Sequence, residues 1–107
     1  MRTRTLVKVP AKARRGEVVE IKVLVSHPME TGFRRDRTGG AIPVDIIRRF
    51  ECRYDGDTVF AADFHPAVAA NPFLAFTTVA TTSGTITFEW VGDNGFAHRE
   101  SAEIQVE

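Results

Sequence analysis

Three histidines are the side chains best suited to acid–base chemistry or metal binding, because imidazole titrates near neutral pH. Two of them, His27 and His65, each precede a proline. A zinc site needs three or four ligands, usually with some of them close in sequence. The third histidine, His98, is predicted on a separate strand with no evident route to the other two. Rings that bind backbone carbonyls and fix their loops are therefore favoured over a metal site, and we expect no metal and no cofactor.

The single cysteine, Cys52, is the obvious candidate nucleophile. A catalytic thiol needs a positive and partly open setting in order to ionise. Cys52 alternates with Arg53 and shares its parity with Phe50 and Tyr54, which predicts that it points inward on a strand. A small buried apolar residue is therefore the favoured interpretation, and one cysteine excludes an internal disulfide.

Arginines at positions 34, 35 and 37 could bind an anion or an acidic partner, although a run of charges is usually only solvated. The sequence has no nucleophile elbow, phosphate-binding glycine loop or close carboxylate pair. No recognised catalytic motif therefore stands out in the sequence. The alternative left open is a stand-alone anion- or metal-binding domain that uses His27, His65 and the Arg34–Arg37 loop.

Composition narrows the class of partner. The 107 residues contain 14 Lys plus Arg and 14 Asp plus Glu, so the formal net charge is zero. No overall field draws the chain to nucleic acid or to an anionic membrane. No apolar run approaches the roughly 20 residues of a membrane span, and we expect neither membrane insertion nor a signal peptide of the chain's own.

The elements that must position these residues alternate with a period of two. Seven strands without a substantial helix are predicted, with turn signals about every ten residues. This pattern is typical of an all-β, immunoglobulin-like sandwich of about seven antiparallel strands, folded as one domain over residues 1–107. The segment from Pro10 to Gly16 is read as a polar turn, and residues 26–44 as a long connection.

The segment 63–73 is an unusually apolar connection, since connections normally face water. Its two prolines predict extended backbone at His65 and Asn71, with at most one helical turn from Pro66 to Ala70. If successive strands run in opposite directions, connections alternate between the two ends of the sandwich. Residues 26–44, 65–72 and 92–95 then share one end, so both His-Pro segments lie together.

Two uninterrupted motifs resemble a known family. They are SHPMETGFR, from Ser26 to Arg34, and ADFHPAVAANPF, from Ala62 to Phe73. In this order and spacing they are similar to SoxZ, the Z subunit of the SoxYZ carrier complex of thiosulfate and sulfur oxidation. The resemblance implies a non-catalytic scaffold that pairs with SoxY as a heterodimer or heterotetramer, while SoxY carries sulfur intermediates on its own C-terminal cysteine. It also implies transient contact with other Sox enzymes, and a periplasmic location reached by co-export with SoxY.

A subunit that holds a partner needs a surface that is apolar at its centre and polar at its rim. Both motifs could supply that surface or could lock the fold internally, and exposed sheet faces and edges are the competing docking surfaces. We also expect the isolated chain to form a homodimer, because its docking face would be bare. The candidate interface or locking residues are His27, Pro28, Met29, Glu30, Phe33, Arg34, Arg35, His65, Pro66, Val68, Asn71 and Pro72.

Overall fold

A computed structural model describes residues 4–65, 68 and 70–107. Eight strands and one short 3-10 turn, Asp93–Gly95, form the regular structure of these residues. The strands are β1 Thr5–Lys8, β2 Lys12–Ala13, β3 Val18–Val25, β4 Ile47–Tyr54, β5 Asp57–Asp63, β6 Phe73–Val79, β7 Gly84–Gly92 and β8 Ala97–Val106. None of the described helical segments is long and apolar enough to cross a bilayer.

Two sheets make an immunoglobulin-like β-sandwich, as predicted. The short sheet has the strand order β1-β3-β6, and the long sheet has the order β2-β8-β7-β4-β5. Neighbouring strands are antiparallel except for β2, which runs parallel to β8. Strands β1 and β6 are the two edges of the short sheet.

Side-chain alternation places the core between the sheets. In β3 every second residue is buried, and the same holds for the middle of β7. Phe50 on β4 lies at the centre, with the Trp90 ring 5.1 Å away and the Phe76 ring 6.0 Å away. Phe60 stacks on Phe76 at 4.3 Å and joins the two sheets. The burial of these rings supplies much of the hydrophobic stabilisation.

The segment from Pro10 to Gly16 corrects one prediction. It is not only a polar turn, because Lys12 and Ala13 form strand β2 against Gln105 and Val106. Ala13 is buried. The two residues are too short a run to show any periodicity, and their pairing depends on a strand about 90 positions away.

The long connection between β3 and β4 folds back on itself as an arm. Glu30 and Asp45 exchange two backbone hydrogen bonds of 2.8 Å, and Arg35 bridges Ala41. At its tip the carboxylate of Asp36 accepts hydrogen bonds from the backbone N–H groups of Thr38 and Gly40. The predicted long loop is therefore a hydrogen-bonded hairpin, which we call the 30–45 arm.

The prediction about the two ends is confirmed. At one end the Gly16 N–H donates to the Ala80 carbonyl and the Tyr54 hydroxyl donates to the Thr82 carbonyl. At the other end the backbone N–H of Asp93 donates to the Ile46 carbonyl, and residue 27 contacts residue 71. Both His-Pro segments thus meet at one end of the sandwich.

Candidate functional site

A reciprocal pair of hydrogen bonds joins the two motif segments. The backbone N–H of His27 donates to Oδ1 of Asn71 at 3.0 Å. The backbone N–H of Asn71 donates to the carbonyl of His27 at 2.7 Å. Because both groups are satisfied within the chain, this pair ties the end of β3 to the start of β6.

The ring of His27 is buried, with 5% of its surface exposed. Its Nδ1 accepts a hydrogen bond from the backbone N–H of Met29 at 3.0 Å, and its Nε2 lies 3.9 Å from Oδ1 of Asp45. The ring meets Phe96 edge-on, with centroids 4.9 Å apart. Burial lowers the pKa of His27 below its usual value, and the charge of Asp45 only partly opposes this. The ring is therefore held neutral, with Nδ1 as the acceptor.

Met29 continues the same closed cluster. Its side chain is buried and its Sδ accepts the backbone N–H of Ile47 at 3.3 Å. Its backbone is left-handed, with φ of 52°. For a residue other than glycine this conformation costs roughly 1–2 kcal/mol, so the surrounding contacts must hold it in place. Met29 therefore fixes the start of the 30–45 arm to β4.

Asn71 corrects a second prediction. The proline that follows it predicts extended backbone, yet its φ is 53°. Asparagine tolerates the left-handed region better than most residues, and the two hydrogen bonds to His27 offset the unfavourable geometry. Tertiary contacts therefore override the local preference of a residue before proline.

The second His-Pro segment is divided between surface and interior. His65 is exposed, and its carbonyl accepts the backbone N–H of Val68 at 3.0 Å. Val68 is half-buried against the core, and Pro72 is buried. Pro66 lies outside the described residues, as does most of the helical turn predicted from Pro66 to Ala70.

The remaining candidates lie at the surface, in the first motif and directly after it. Pro28 is exposed, and Arg34 is exposed and binds the carboxylate of Glu30, which lowers the pKa of Glu30. Arg35 is exposed, and its guanidinium donates to the carbonyl of Gly39. Phe33 is 86% exposed. This arm contributes a charged surface with one bare aromatic ring.

The described part of the chain has no cluster suited to metal binding, and its single thiol lies in the core. Within the described residues, no three His, Cys, Asp or Glu side chains are placed to hold a metal ion. His98 contacts Glu100 through Nε2. Cys52 is fully buried, and burial raises its pKa to about 12. Its sulfur is therefore a protonated core group at neutral pH.

A further surface was not identified from the sequence. On the outer side of the short sheet, Leu6, Leu24 and Phe73 form one row across all three strands. Leu6 is 57% exposed and Phe73 is 58% exposed. Alternation predicts that each of them points away from the core, but it does not show that they stand side by side. Only the register between distant strands reveals the row.

Comparison with solved structures defines the class of protein. Superoxide reductase (neelaredoxin) from Ignicoccus hospitalis superposes with a TM-score of 0.71 at 20% identity, covering 96% of this chain and 80% of that one. The sulfur carrier protein SoxY from Chlorobium limicola f thiosulfatophilum superposes with a TM-score of 0.68 at 15% identity, covering 96% and 78%. The chain is thus a β-sandwich of the fold that these proteins share.

The family follows from the sequence. The model of the family described as sulphur oxidation protein SoxZ matches residues 7–103. This chain belongs to the SoxZ family, as its two motifs suggested, and it is a subunit of the Sox sulfur-oxidation system. A comparison with curated protein sequences found no match.

Proposed function

We propose that this chain is the non-catalytic scaffold subunit of a SoxYZ sulfur carrier, and that it pairs with SoxY as a heterodimer or a tetramer of two such pairs. The observation that carries the proposal is the family match over residues 7–103. In this assignment SoxY carries the sulfur intermediates on its own cysteine, and other Sox enzymes meet this chain only transiently. The periplasmic location and co-export with SoxY belong to the same proposal.

The setting of Cys52 supports a scaffold over a sulfur carrier. A carrier thiol must reach substrate and ionise. Cys52 lies in the core between the two sheets, and its pKa is raised to about 12 by burial. Covalent sulfur on this side chain would have to fit into a close-packed core.

The closed cluster around His27 supports the same assignment. A general acid–base histidine needs a ring nitrogen directed toward substrate. The Nδ1 of His27 is occupied by the Met29 N–H, and its Nε2 lies 3.9 Å from Oδ1 of the partly exposed Asp45. These groups organise the loops instead of presenting a reactive atom.

The test is to co-express the chain with a SoxY-family protein and to measure the mass of the product by gel filtration with light scattering. We expect a stable complex of equal stoichiometry at micromolar concentration. Separate elution of the two chains would refute the proposal. A Cys52→Ala variant should pair with SoxY equally well and should leave the sulfur load of the complex unchanged.

A further inference from the structure

Exposed apolar side chains concentrate on the outer face of the short sheet. Seven large apolar residues are exposed in the described part of the chain, and four of them lie on this face. Two are in the row of Leu6, Leu24 and Phe73, and the other two, Val18 and Val79, pair with each other at the far end of the sheet. A contiguous apolar cluster on a soluble protein, such as the row of Leu6, Leu24 and Phe73, marks an interaction site.

Two lysines stand directly beside the apolar row. Lys8 and Lys22 occupy paired positions on β1 and β3, one row from Leu6 and Leu24 and on the same face. Like charges opposite each other across two strands are destabilising. Lys22 lies 3.4 Å from Glu20, whereas Lys8 forms no ion pair with any described residue. A hollow of about 240 Å³ is bounded by the apolar row and by both lysines.

The outer face of the long sheet is different. Several of its charged side chains form ion pairs within the chain, as in Arg99 with Glu89 and Arg53 with Glu51. Arg49 likewise binds Asp63 at 3.0 Å. This face carries the three ion pairs just named, whereas the short sheet exposes an apolar row and places Lys8 directly opposite Lys22.

We propose that SoxY docks on the outer face of the short sheet, an inference that rests on the SoxYZ assignment above. The chemistry of the face defines the contact on the partner. An apolar side chain of SoxY enters the hollow between Leu6 and Phe73, and a neighbouring carboxylate of SoxY lies between Lys8 and Lys22. The carboxylate relieves the repulsion between the two lysines. Pairing with SoxY is therefore favoured by an electrostatic contribution as well as by apolar burial.

The experiment compares matched variants of the full chain in pairing with the same purified SoxY, by calorimetry or interferometry. Phe73→Glu places a carboxylate in the apolar row, and Phe33→Glu makes the same change on the more exposed ring of the 30–45 arm. We expect Phe73→Glu to weaken the dissociation constant at least about 30-fold, as for an interface hot spot. Phe33→Glu should change it by less than about threefold. Circular dichroism and thermal unfolding establish that both variants are folded.

Charge reversal tests the second half of the contact. Lys8→Glu should weaken pairing by about three- to tenfold and reduce its dependence on salt. The matched control is Lys12→Glu, because Lys12 is an exposed lysine on β2 of the other sheet. This change should have little effect on pairing.

Each outcome decides between the two proposals. If the unaltered chain fails to bind SoxY, the SoxYZ assignment itself is wrong. If the unaltered chain binds and Phe73→Glu binds equally well, only the docking face is wrong. Loss of pairing in Phe33→Glu alone would assign docking to the 30–45 arm, and loss of a homodimer without loss of SoxY binding would assign the face to a second copy of this chain.

Discussion

The His27 end and the outer face of the short sheet use polar and apolar groups in opposite ways. At the His27 end, a buried ring, a methionine sulfur and two backbone segments satisfy one another. On the outer face, Leu6 and Phe73 remain in solvent beside a lysine with no described partner. The polar groups of the first region are satisfied within the chain, whereas the second region leaves apolar and charged side chains exposed.

This difference teaches that the most recognisable segments of a sequence need not form its binding surface. The His-Pro motifs contain the unusual residues, but the structure uses His27, Met29 and Asn71 to join loops. The residues left for a partner are common ones whose arrangement depends on strand register. Changes at the His27 end should therefore affect folding, and changes on the outer face should affect association.

The largest expected effect on stability comes from replacing Met29. Met29→Ala should lower the free energy of unfolding by about 2–5 kcal/mol, because it leaves a cavity in the core and removes the sulfur that accepts the Ile47 N–H. Urea denaturation followed by the fluorescence of Trp90 measures this loss. The control is Phe33→Ala on the same loop, which should change the free energy of unfolding by less than about 0.5 kcal/mol. Equal losses for the two variants would contradict the closed character of this end.

Asn71 should have the next largest effect. Asn71→Ala should cost about 1–3 kcal/mol, because the His27 N–H loses its acceptor and alanine is unfavourable at a φ of 53°. Asn71→Gly restores only the backbone freedom, whereas Asn71→Asp restores the acceptor and also tolerates the left-handed backbone. Both should therefore be more stable than the alanine variant in chemical denaturation. An alanine variant as stable as the original chain would show that the reciprocal bonds contribute nothing.

The pH dependence of stability should identify His27. Its pKa in the folded chain lies below the ordinary value of 6.5, so the unfolded chain binds the proton more readily. The contribution to stability is then complete above about pH 6.5 and is lost as the pH falls toward the folded pKa. Denaturant midpoints between pH 7 and pH 5 should decrease for the original chain and should change less for His27→Gln.

The exposed His65 provides the control for this pH series. His65→Gln should keep the slope of the original chain across the same range. Carboxyl groups with lowered pKa values, such as Asp93 and Glu30, lose their contributions only at lower pH. If the slope of the denaturant midpoint against pH were unchanged in His27→Gln, His27 would not be the cause of the pH dependence.

The smallest effect on stability is expected for the outer face. Leu6→Gln should change the free energy of unfolding by less than about 0.5 kcal/mol, since the side chain is already 57% exposed. Ile21→Val, on the buried side of the neighbouring strand, should cost about 0.5–1.5 kcal/mol. A larger loss for Leu6→Gln than for Ile21→Val would mean that the row serves the fold and not a partner.

Alternation in the sequence predicted the sandwich because one face of each strand is buried. Phe50, Cys52 and Tyr54 lie inside as their spacing indicates, and the same holds for Ile86, Phe88 and Trp90. Strand β2 was missed because a two-residue parallel pairing has no local signal. The hydrogen-bonded structure of the 30–45 arm was not predicted. It comes from Asp36 and from the Glu30–Asp45 bridge, which join residues that show no shared sequence pattern.

The candidate site was less predictable. Strand counting placed His27 and the 65–72 segment at one end, but the exchange of bonds with Asn71 required a left-handed residue before proline. The row of Leu6, Leu24 and Phe73 depends on how three strands align over nearly 70 positions. Sequence periodicity states which face a residue occupies, and only the folded register states which residues are neighbours on that face.

Strand β6 affects how readily the isolated subunit aggregates. Its seven residues, FLAFTTV, carry no charge, glycine or proline and lie at an open edge of the sheet. Natural edge strands are usually protected by lysine, proline or a bulge, and short uncharged segments of high β-propensity are the ones that stack into cross-β fibrils. Ordered aggregation of the isolated chain would therefore begin at β6. The yield of folded subunit would then depend on whether a partner chain binds before β6 associates with other copies of itself.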